Sequence, residues 1–184
     1  MSSKTISKSL NAALRMLLLG LLITFACVIA TQAGEPEMKL QTLEAKLRKD
    51  VEDLHAFFVG WYNASLPESA FESEFMERLD PGFTIIMPSG VRLDHKTLVS
   101  SMRGSYGKKP GFRIEIRTVR VVHATESSAV AQYVEWQRND HESPGSGSGR
   151  VSTVIFSLGD ELQWLHVHET WLPEDIVGAD HFDF

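Results

Sequence analysis

Cysteine is almost absent from this sequence, which contains one, Cys27, inside an apolar run near the N-terminus. If that run is removed, the remaining chain has no thiol, which excludes disulfide bonds, thiol catalysis and thiolate metal sites. An acylated Cys27 is the less favoured alternative, because Thr24 and Phe25 are poor residues ahead of a lipoprotein cysteine. An exported chain without a disulfide framework depends on an ordinary hydrophobic core for its stability.

Acidic residues are missing before Glu35, and the segment that lacks them has the layout of a leader. Three basic residues precede an apolar run over 16–30, and Ala33 completes a small-residue cleavage motif. We predict that residues 1–33 are a secretory signal peptide and that the protein is periplasmic or secreted. A retained membrane anchor is the alternative, although the run of about 15 residues is shorter than the ~20 that span a bilayer.

Basic residues are also few, with 18 Lys and Arg against 24 Asp and Glu. Removing Lys4, Lys8 and Arg15 with the leader moves the formal charge from −6 to −9. Such a surface disfavours nucleic acid and, after signal cleavage, a membrane as partners, because both require a basic surface. The remaining length fits one domain, which we place at 34–173, followed by an acidic tail at 174–184.

Apolar spacing predicts three helices in the first half of the domain. Apolar residues recur at intervals of three and four over 37–63, as in an amphipathic helix. A second helix follows the break at Leu66-Pro67, and a third covers 96–103 with Asp94 as its N-cap.

Strands dominate the second half of the sequence. An early hairpin turns at Pro88-Ser89-Gly90, and a glycine-rich loop covers 139–149. Four later runs have strand character: 112–123, 129–137, 151–158 and 162–172. Because most of these runs are joined by short turns, the sheet should be antiparallel and strongly curved.

The last strand carries two histidines on one face. Alternation places four residues together on that face: Trp164, His166, His168 and Thr170. The opposite face then carries Leu165, Val167, Glu169 and Trp171. Glu169 therefore either faces a pocket, in which case the histidines do not, or lies in an interface.

His166, His168 and Glu135 are the candidates for proton transfer. With Glu135 from a neighbouring strand the histidines also form a possible metal set, but His-x-His is common by chance and we predict no metal and no cofactor. The alternative is that the histidines are ordinary hydrogen-bonded residues of a sheet. Glu135 would be a base in an apolar pocket, or it would pair with Arg113 or Arg117.

The order of elements resembles the NTF2-like superfamily, and within it the SnoaL-like and DUF4440 group that is similar to the association domain of calcium/calmodulin-dependent kinase II. The resemblance covers about 43–173 and is carried by three motifs: Phe83–Gly90, Tyr133-Val134-Glu135 and Trp164–Trp171. It implies an α+β cone, in which a curved antiparallel sheet wraps around N-terminal helices and leaves a pocket at the wide end.

Members of this superfamily use the pocket for isomerase, cyclase or dehydratase chemistry or to bind a ligand, and others assemble through the sheet. We expect a small, largely apolar ligand, with proton transfer as the reaction if one occurs. The expected ligand contacts are Trp61, Tyr62, Tyr133, Trp164 and Thr170. The tyrosine and two carboxylates of steroid isomerases have no matching positions here. Apolar residues on both faces of the sheet predict a homodimer, and a non-catalytic oligomerisation module is the alternative function.

Overall fold

The computed structural model describes residues 37–140 and 147–177 of the chain. The chain divides into two units between residues 42 and 43; the described residues of the first are 37–42, which are helical, and those of the second are 43–140 and 147–177. The predicted signal peptide, the middle of the predicted loop at 141–146 and the end of the predicted tail at 178–184 lie outside the described residues.

Three α-helices are present where apolar spacing predicted them: α1 (37–62), α2 (Ala70–Glu74) and α3 (His95–Arg103). The second is shorter than expected and is followed by a 3-10 turn at Met76–Arg78. The predicted N-cap is confirmed, since Asp94 Oδ1 accepts a hydrogen bond from the Thr97 amide at 2.8 Å. No helix within the described ranges is long and apolar enough to cross a membrane.

One six-stranded sheet accounts for the rest of the domain. Its strands are β1 (Leu79–Ile86), β2 (Arg92–Asp94), β3 (Phe112–Ala124), β4 (Ser128–Asn139), β5 (Ser148–Leu158) and β6 (Leu162–Trp171), in the order β2-β1-β6-β5-β4-β3. The α+β NTF2-like fold is thereby confirmed, but the expectation of a wholly antiparallel sheet is wrong for one pair. Strands β1 and β6 are parallel, because β6 returns from the far end of the domain rather than through a short turn.

A bulge in β6 changes which side chains share a face. Ile155 of β5 pairs with His166, and the next residue, Phe156, pairs with Trp164, so that Leu165 is an extra residue in the strand. An inserted residue reverses the alternation on one side of it. Strict alternation predicted that Trp164 shares a face with the histidines. This prediction is wrong, because the bulge places Trp164 on the opposite face.

The core lies between α1 and one face of the sheet, which we call the inner face. The inner-face residues of β4, β5 and β6 are mostly buried. In β6 the buried inner-face residues are Trp164, Val167 and Glu169. The apolar stripe of α1 contacts this face and an aromatic group from α2, in which the ring centroids of Phe57 and Phe75 are 5.5 Å apart. The opposite side of the sheet, called the outer face, includes His166, His168 and Thr170.

Candidate functional site

A cavity of about 120 Å³ lies between α1, α3 and the inner face of the sheet. Most of its walls are apolar, and its main polar side chains are His55, Tyr133, Glu135, Gln137, Arg150 and Glu169. One water needs roughly 10–15 Å³ of such space, so the cavity has room for several waters. A compact ligand with one polar end fits this arrangement better than an extended one.

Arg150 is the centre of the polar end of the cavity. Its Nε and Nη2 donate to the two oxygens of Glu135 at 3.1 and 2.9 Å, and its Nη1 donates to Glu169 Oε2 at 2.9 Å. The sheet register causes this contact, since Arg150 pairs with Glu135 across β4–β5 while Glu169 pairs with Ser152, two residues further along β5. Exposed fractions of 2% for Glu135, 6% for Glu169 and 9% for Arg150 make this a buried charge cluster.

His55 of α1 contacts the same cluster from the helical side. Its Nδ1 donates to the Val51 carbonyl at 2.6 Å, and its Nε2 lies 3.3 Å from Glu135 Oε2. Glu135 also accepts a hydrogen bond from the Gln137 amide. Both oxygens of Glu135 are therefore occupied by partners on three elements, and this carboxylate is fixed in place.

The two carboxylates held by Arg150 have pKa values that move in opposite directions. Burial acts to raise the pKa of Glu135, but the charges of Arg150 and His55 outweigh it, and the pKa falls below its ordinary value. Burial also raises the pKa of Glu169, Arg150 offsets this only in part, and the charge of Glu135 raises it further. Glu169 Oε1 accepts no hydrogen bond from any described residue. Glu135 is thus held ionised, whereas Glu169 is able to take up a proton.

Two tyrosines of the cavity remain hydrogen-bond donors at neutral pH. Burial raises the pKa of Tyr62 and raises that of Tyr133 further, and the charges of Glu135 and Glu169 act in the same direction on both. Tyr62 donates to the sulfur of Met102 at 3.4 Å.

Four of the predicted site residues are brought together in this cavity: Tyr62, Tyr133, Glu135 and Trp164. Trp61 is not among them, because it is buried in the core and donates to the Met102 carbonyl at 2.7 Å. The alternative that paired Glu135 with Arg113 or Arg117 is also wrong, since its partner is Arg150 while Arg113 contacts Asp140.

His166, His168 and Thr170 lie on the outer face, away from the cavity that the sequence predicted for them. His168 and Thr170 are exposed, and His166 Nδ1 is 2.8 Å from Thr84 Oγ1 of the adjacent strand. Burial lowers the pKa of His166. The alternative in which Glu169 faces the pocket and the histidines do not is therefore the one that the structure shows. Glu169 is the ionisable residue of β6 that lines the cavity.

Sequence reasoning missed Arg150 and His55, although each had a weak signal. Arg150 continues the alternation of inner-face residues Ser152, Val154 and Phe156 on β5. His55 is four residues after Val51 on the buried stripe of α1. Within 37–140 and 147–177, no three or more His, Cys, Asp or Glu side chains are arranged to hold a metal ion.

Comparison with known proteins matches residues 48–173 to the family described as Sucrose-6-phosphate phosphohydrolase C-terminal. Sucrose-phosphatase 2 of Nicotiana tabacum is 28% identical over 134 residues, covering 67% of this chain and 30% of its own length. Probable sucrose-phosphatase 2 of Arabidopsis thaliana is 25% identical over 129 residues, with the same coverage of 67% and 30%. The chain therefore spans about 30% of the length of these relatives.

Solved structures extend the comparison to the fold. An NTF-2-like protein of unknown function from Pseudomonas aeruginosa has a TM-score of 0.63 and 29% identity, over 69% of this chain and 98% of that one. The association domain of CaMKII from C. elegans has a TM-score of 0.55 and 12% identity, over 72% and 98%. Both confirm the predicted resemblance in fold, while the finer SnoaL-like and DUF4440 grouping stays a prediction. The matched range includes every polar group of the cavity, and the chain belongs to the Sucrose-6-phosphate phosphohydrolase C-terminal family.

Proposed function

We propose that this is an exported binding protein that takes a small, largely apolar ligand into the cavity, with the polar end of the ligand at Glu169. One observation carries the proposal: an apolar cavity ends at a carboxyl group that is only 6% exposed, has a raised pKa and has one oxygen without a hydrogen-bond partner among the described residues. Glu169 Oε1 is accessible from the cavity rather than sealed off from it, and a polar group at the end of an apolar cavity favours a ligand or water there.

A sugar phosphate does not suit this cavity, although relatives are named sucrose-phosphatases. Pockets for ligands of ordinary drug size measure roughly 300–1,000 Å³, and this one measures about 120 Å³. Two carboxyl groups at its polar end, Glu135 and Glu169, would also repel a phosphate.

Proton transfer, of the isomerase or dehydratase kind, is the chemistry that the site would support if the ligand is turned over. Glu169 is the group for this role, because its raised pKa brings it closer to neutral pH and its side chain lines the cavity. Glu135 is less suited, since Arg150 and His55 hold it ionised. Tyr133 would act as a hydrogen-bond donor to the ligand.

Native mass spectrometry of the protein purified from its own host tests this proposal. We expect a small adduct on the wild type, and we expect it to be lost from the Leu98→Trp variant, in which a larger side chain enters the cavity from α3. An Ile176→Trp variant, at an exposed position after β6, is the matched control and should keep the adduct. A wild-type protein without any adduct, and without thermal stabilisation by any member of a fragment library, would contradict the proposal.

Self-association through the outer face is a second candidate function. Four aliphatic residues of β4 and β5 on this face are half-buried and lie outside the core cluster: Val130, Val134, Val151 and Ile155. An antiparallel sheet with an apolar second face favours a partner there, and we infer a second copy of the chain. The similar C. elegans structure is itself described as an association domain.

Sedimentation velocity tests this second candidate. The wild type should sediment as a dimer, and Ile155→Arg should shift it to a monomer, because a charge would be buried in the interface. Ile176→Arg, at an exposed position outside the sheet, should leave the dimer unchanged. A wild type that is monomeric at all concentrations would remove self-association and leave ligand binding untouched.

A further inference from the structure

One carboxyl group at the polar end of the cavity lacks a full counter-charge. Arg150 directs two of its donors at Glu135, which also has contacts from His55 and Gln137. Glu169 has one contact, from Arg150 to Oε2, and its Oε1 has none from the described residues. The guanidinium is therefore shared unequally, and Glu169 is the carboxyl group that remains under-compensated.

The surroundings of Glu169 leave room for an additional polar partner. Glu169 lines the cavity directly, although only 6% of it is exposed. Ser152, its neighbour in the register of β5 and β6, is fully buried, does not line the cavity, and has its hydroxyl beside that of Tyr133. The hydrogen-bonding capacity that the polar end offers to a ligand is therefore that of Glu169 Oε1.

Aromatic side chains line the same space: Phe58, Tyr62, Phe75, Phe83, Tyr133 and Trp164. The negative faces of such rings attract a cation that lies within about 6 Å of the ring centroid. Aliphatic side chains complete the wall and suit a hydrocarbon body of limited size.

We propose, as an extension of the ligand-binding function above, that the cavity binds a compact organic amine whose ammonium group donates to Glu169 Oε1. The ammonium gives Glu169 a second direct partner, since Arg150 is its one contact whereas Glu135 has Arg150, His55 and Gln137. A carboxylate or phosphate ligand would instead face two carboxyl groups and a guanidinium whose donors are already directed at them. A neutral alcohol would make a hydrogen bond but would leave the charge uncompensated.

Binding of the amine has a balanced proton exchange. Because the pKa of Glu169 is raised, the carboxyl group of the empty cavity takes up a proton at a higher pH than an exposed glutamate does. An ammonium that binds to the ionised carboxylate displaces that proton to solvent, with no other bond made or broken. The ionisable groups that act on Glu169 lie on three elements: His55 and Tyr62 of α1, Tyr133 and Glu135 of β4, and Arg150 of β5.

The test uses three probes with one body and different head groups: cyclohexylamine, cyclohexanol and cyclohexanecarboxylate. Calorimetric titration of the full chain should give an affinity for the amine about tenfold higher than for the alcohol, since charge-assisted hydrogen bonds are roughly twice as strong as neutral ones. The carboxylate should not bind. At a pH where Glu169 is protonated in the empty cavity, amine binding should release a proton, which is seen as a dependence of the heat on the ionisation enthalpy of the buffer.

Glu169→Gln is the decisive variant, because glutamine keeps the size of the side chain and an acceptor for Arg150 but removes the charge. The preference for the amine should disappear while the affinity for the alcohol stays the same. Glu161→Gln, at an exposed position in the turn before β6, is the matched control and should behave as the wild type. If the Glu169 variant does not fold, the wild type still provides a test, since its affinity for the amine should decrease as the pH is lowered and Glu169 becomes protonated.

The contrary outcomes for the amine can be told apart from a failure of the binding function. Equal affinities for amine and alcohol, or tighter binding of the alcohol or carboxylate, would overturn the amine and leave the binding function in place. Binding of none of the three probes would also overturn the amine. The binding function itself fails only if the native spectra and fragment library described above give no ligand.

Discussion

The two faces of β6 differ in whether their side chains line the cavity. Its outer face presents His166 and His168, the residues whose chemistry is most visible in the sequence, and these lie away from the cavity. Its inner face presents Trp164 and Glu169, which line the cavity. The comparison teaches that a reactive residue type is a weaker indicator of a site than a charge at a position where apolar residues are expected.

A second contrast lies within the inner face, between Glu135 and Glu169. Both contact Arg150, but Glu135 also has His55 and Gln137 as partners. One carboxylate is therefore a structural anchor, and the other has an oxygen without a partner among the described residues and a raised pKa.

The largest effect should come from removing the cation that both carboxylates share. Arg150→Met would leave Glu135 and Glu169 buried without a counter-charge, and we expect a loss of about 3–5 kcal/mol in the free energy of unfolding. Urea denaturation measures it. Arg113→Met, which breaks the exposed pair with Asp140, should cost less than about 1 kcal/mol. Similar losses for the two variants would mean that the buried cluster contributes no more to the free energy of unfolding than an exposed ion pair does.

The pH dependence of stability should separate Glu135 from Glu169. The lowered pKa of Glu135 stabilises the fold above the ordinary pKa of a glutamate, and this contribution is lost as the pH falls through the lowered value. Glu135→Gln should therefore flatten the acid limb of the stability curve. Urea midpoints measured across pH would show it, and an unchanged acid limb would contradict the assignment.

Glu169 should act with the opposite sign. Because its pKa is raised on folding, the folded state holds the proton more tightly, and stability decreases as the pH rises from the ordinary value through the raised one. Glu169→Gln should remove this decrease without changing the acid limb. The same series of urea titrations tests it, and a variant that instead loses stability at low pH would exchange the roles of the two glutamates.

The smallest effect should come from the outer face. His168→Ala removes an exposed ring, so the free energy of unfolding should change by no more than about 0.5 kcal/mol. Ligand-induced thermal stabilisation, followed by differential scanning fluorimetry, should also stay as in the wild type. A loss of ligand-induced stabilisation in this variant would mean that His168 contributes to ligand binding after all.

Much of the fold could be predicted because the signals that specify it are local. Helix α1, the turn at Pro88-Ser89-Gly90 and the cap at Asp94 each depend on residues within a few positions of one another. The parallel pairing of β1 with β6 could not be predicted in this way, since it joins strands from opposite ends of the domain. The bulge at Leu165 is visible only against the register of β5.

The candidate site was predictable where a strand alternates without interruption. Tyr133 and Glu135 share a face of β4 whose pairing with β5 has no irregularity, and both line the cavity as the alternation indicated. Arg150 could not be ranked from sequence, because its importance depends on carboxyl groups from two other strands. His55 likewise gains its role from Glu135, which is far from it in the chain.

The central place of β6 has a consequence for biosynthesis. A nascent chain that ends before Leu162 has no strand to join the β1–β2 hairpin to the β3–β5 sheet, so these remain two separate pieces. The charge cluster is equally incomplete, because Glu169 arrives with the same strand. The sheet and the charge cluster are therefore completed in a single late step of synthesis, and a chain that ends before β6 should lack both.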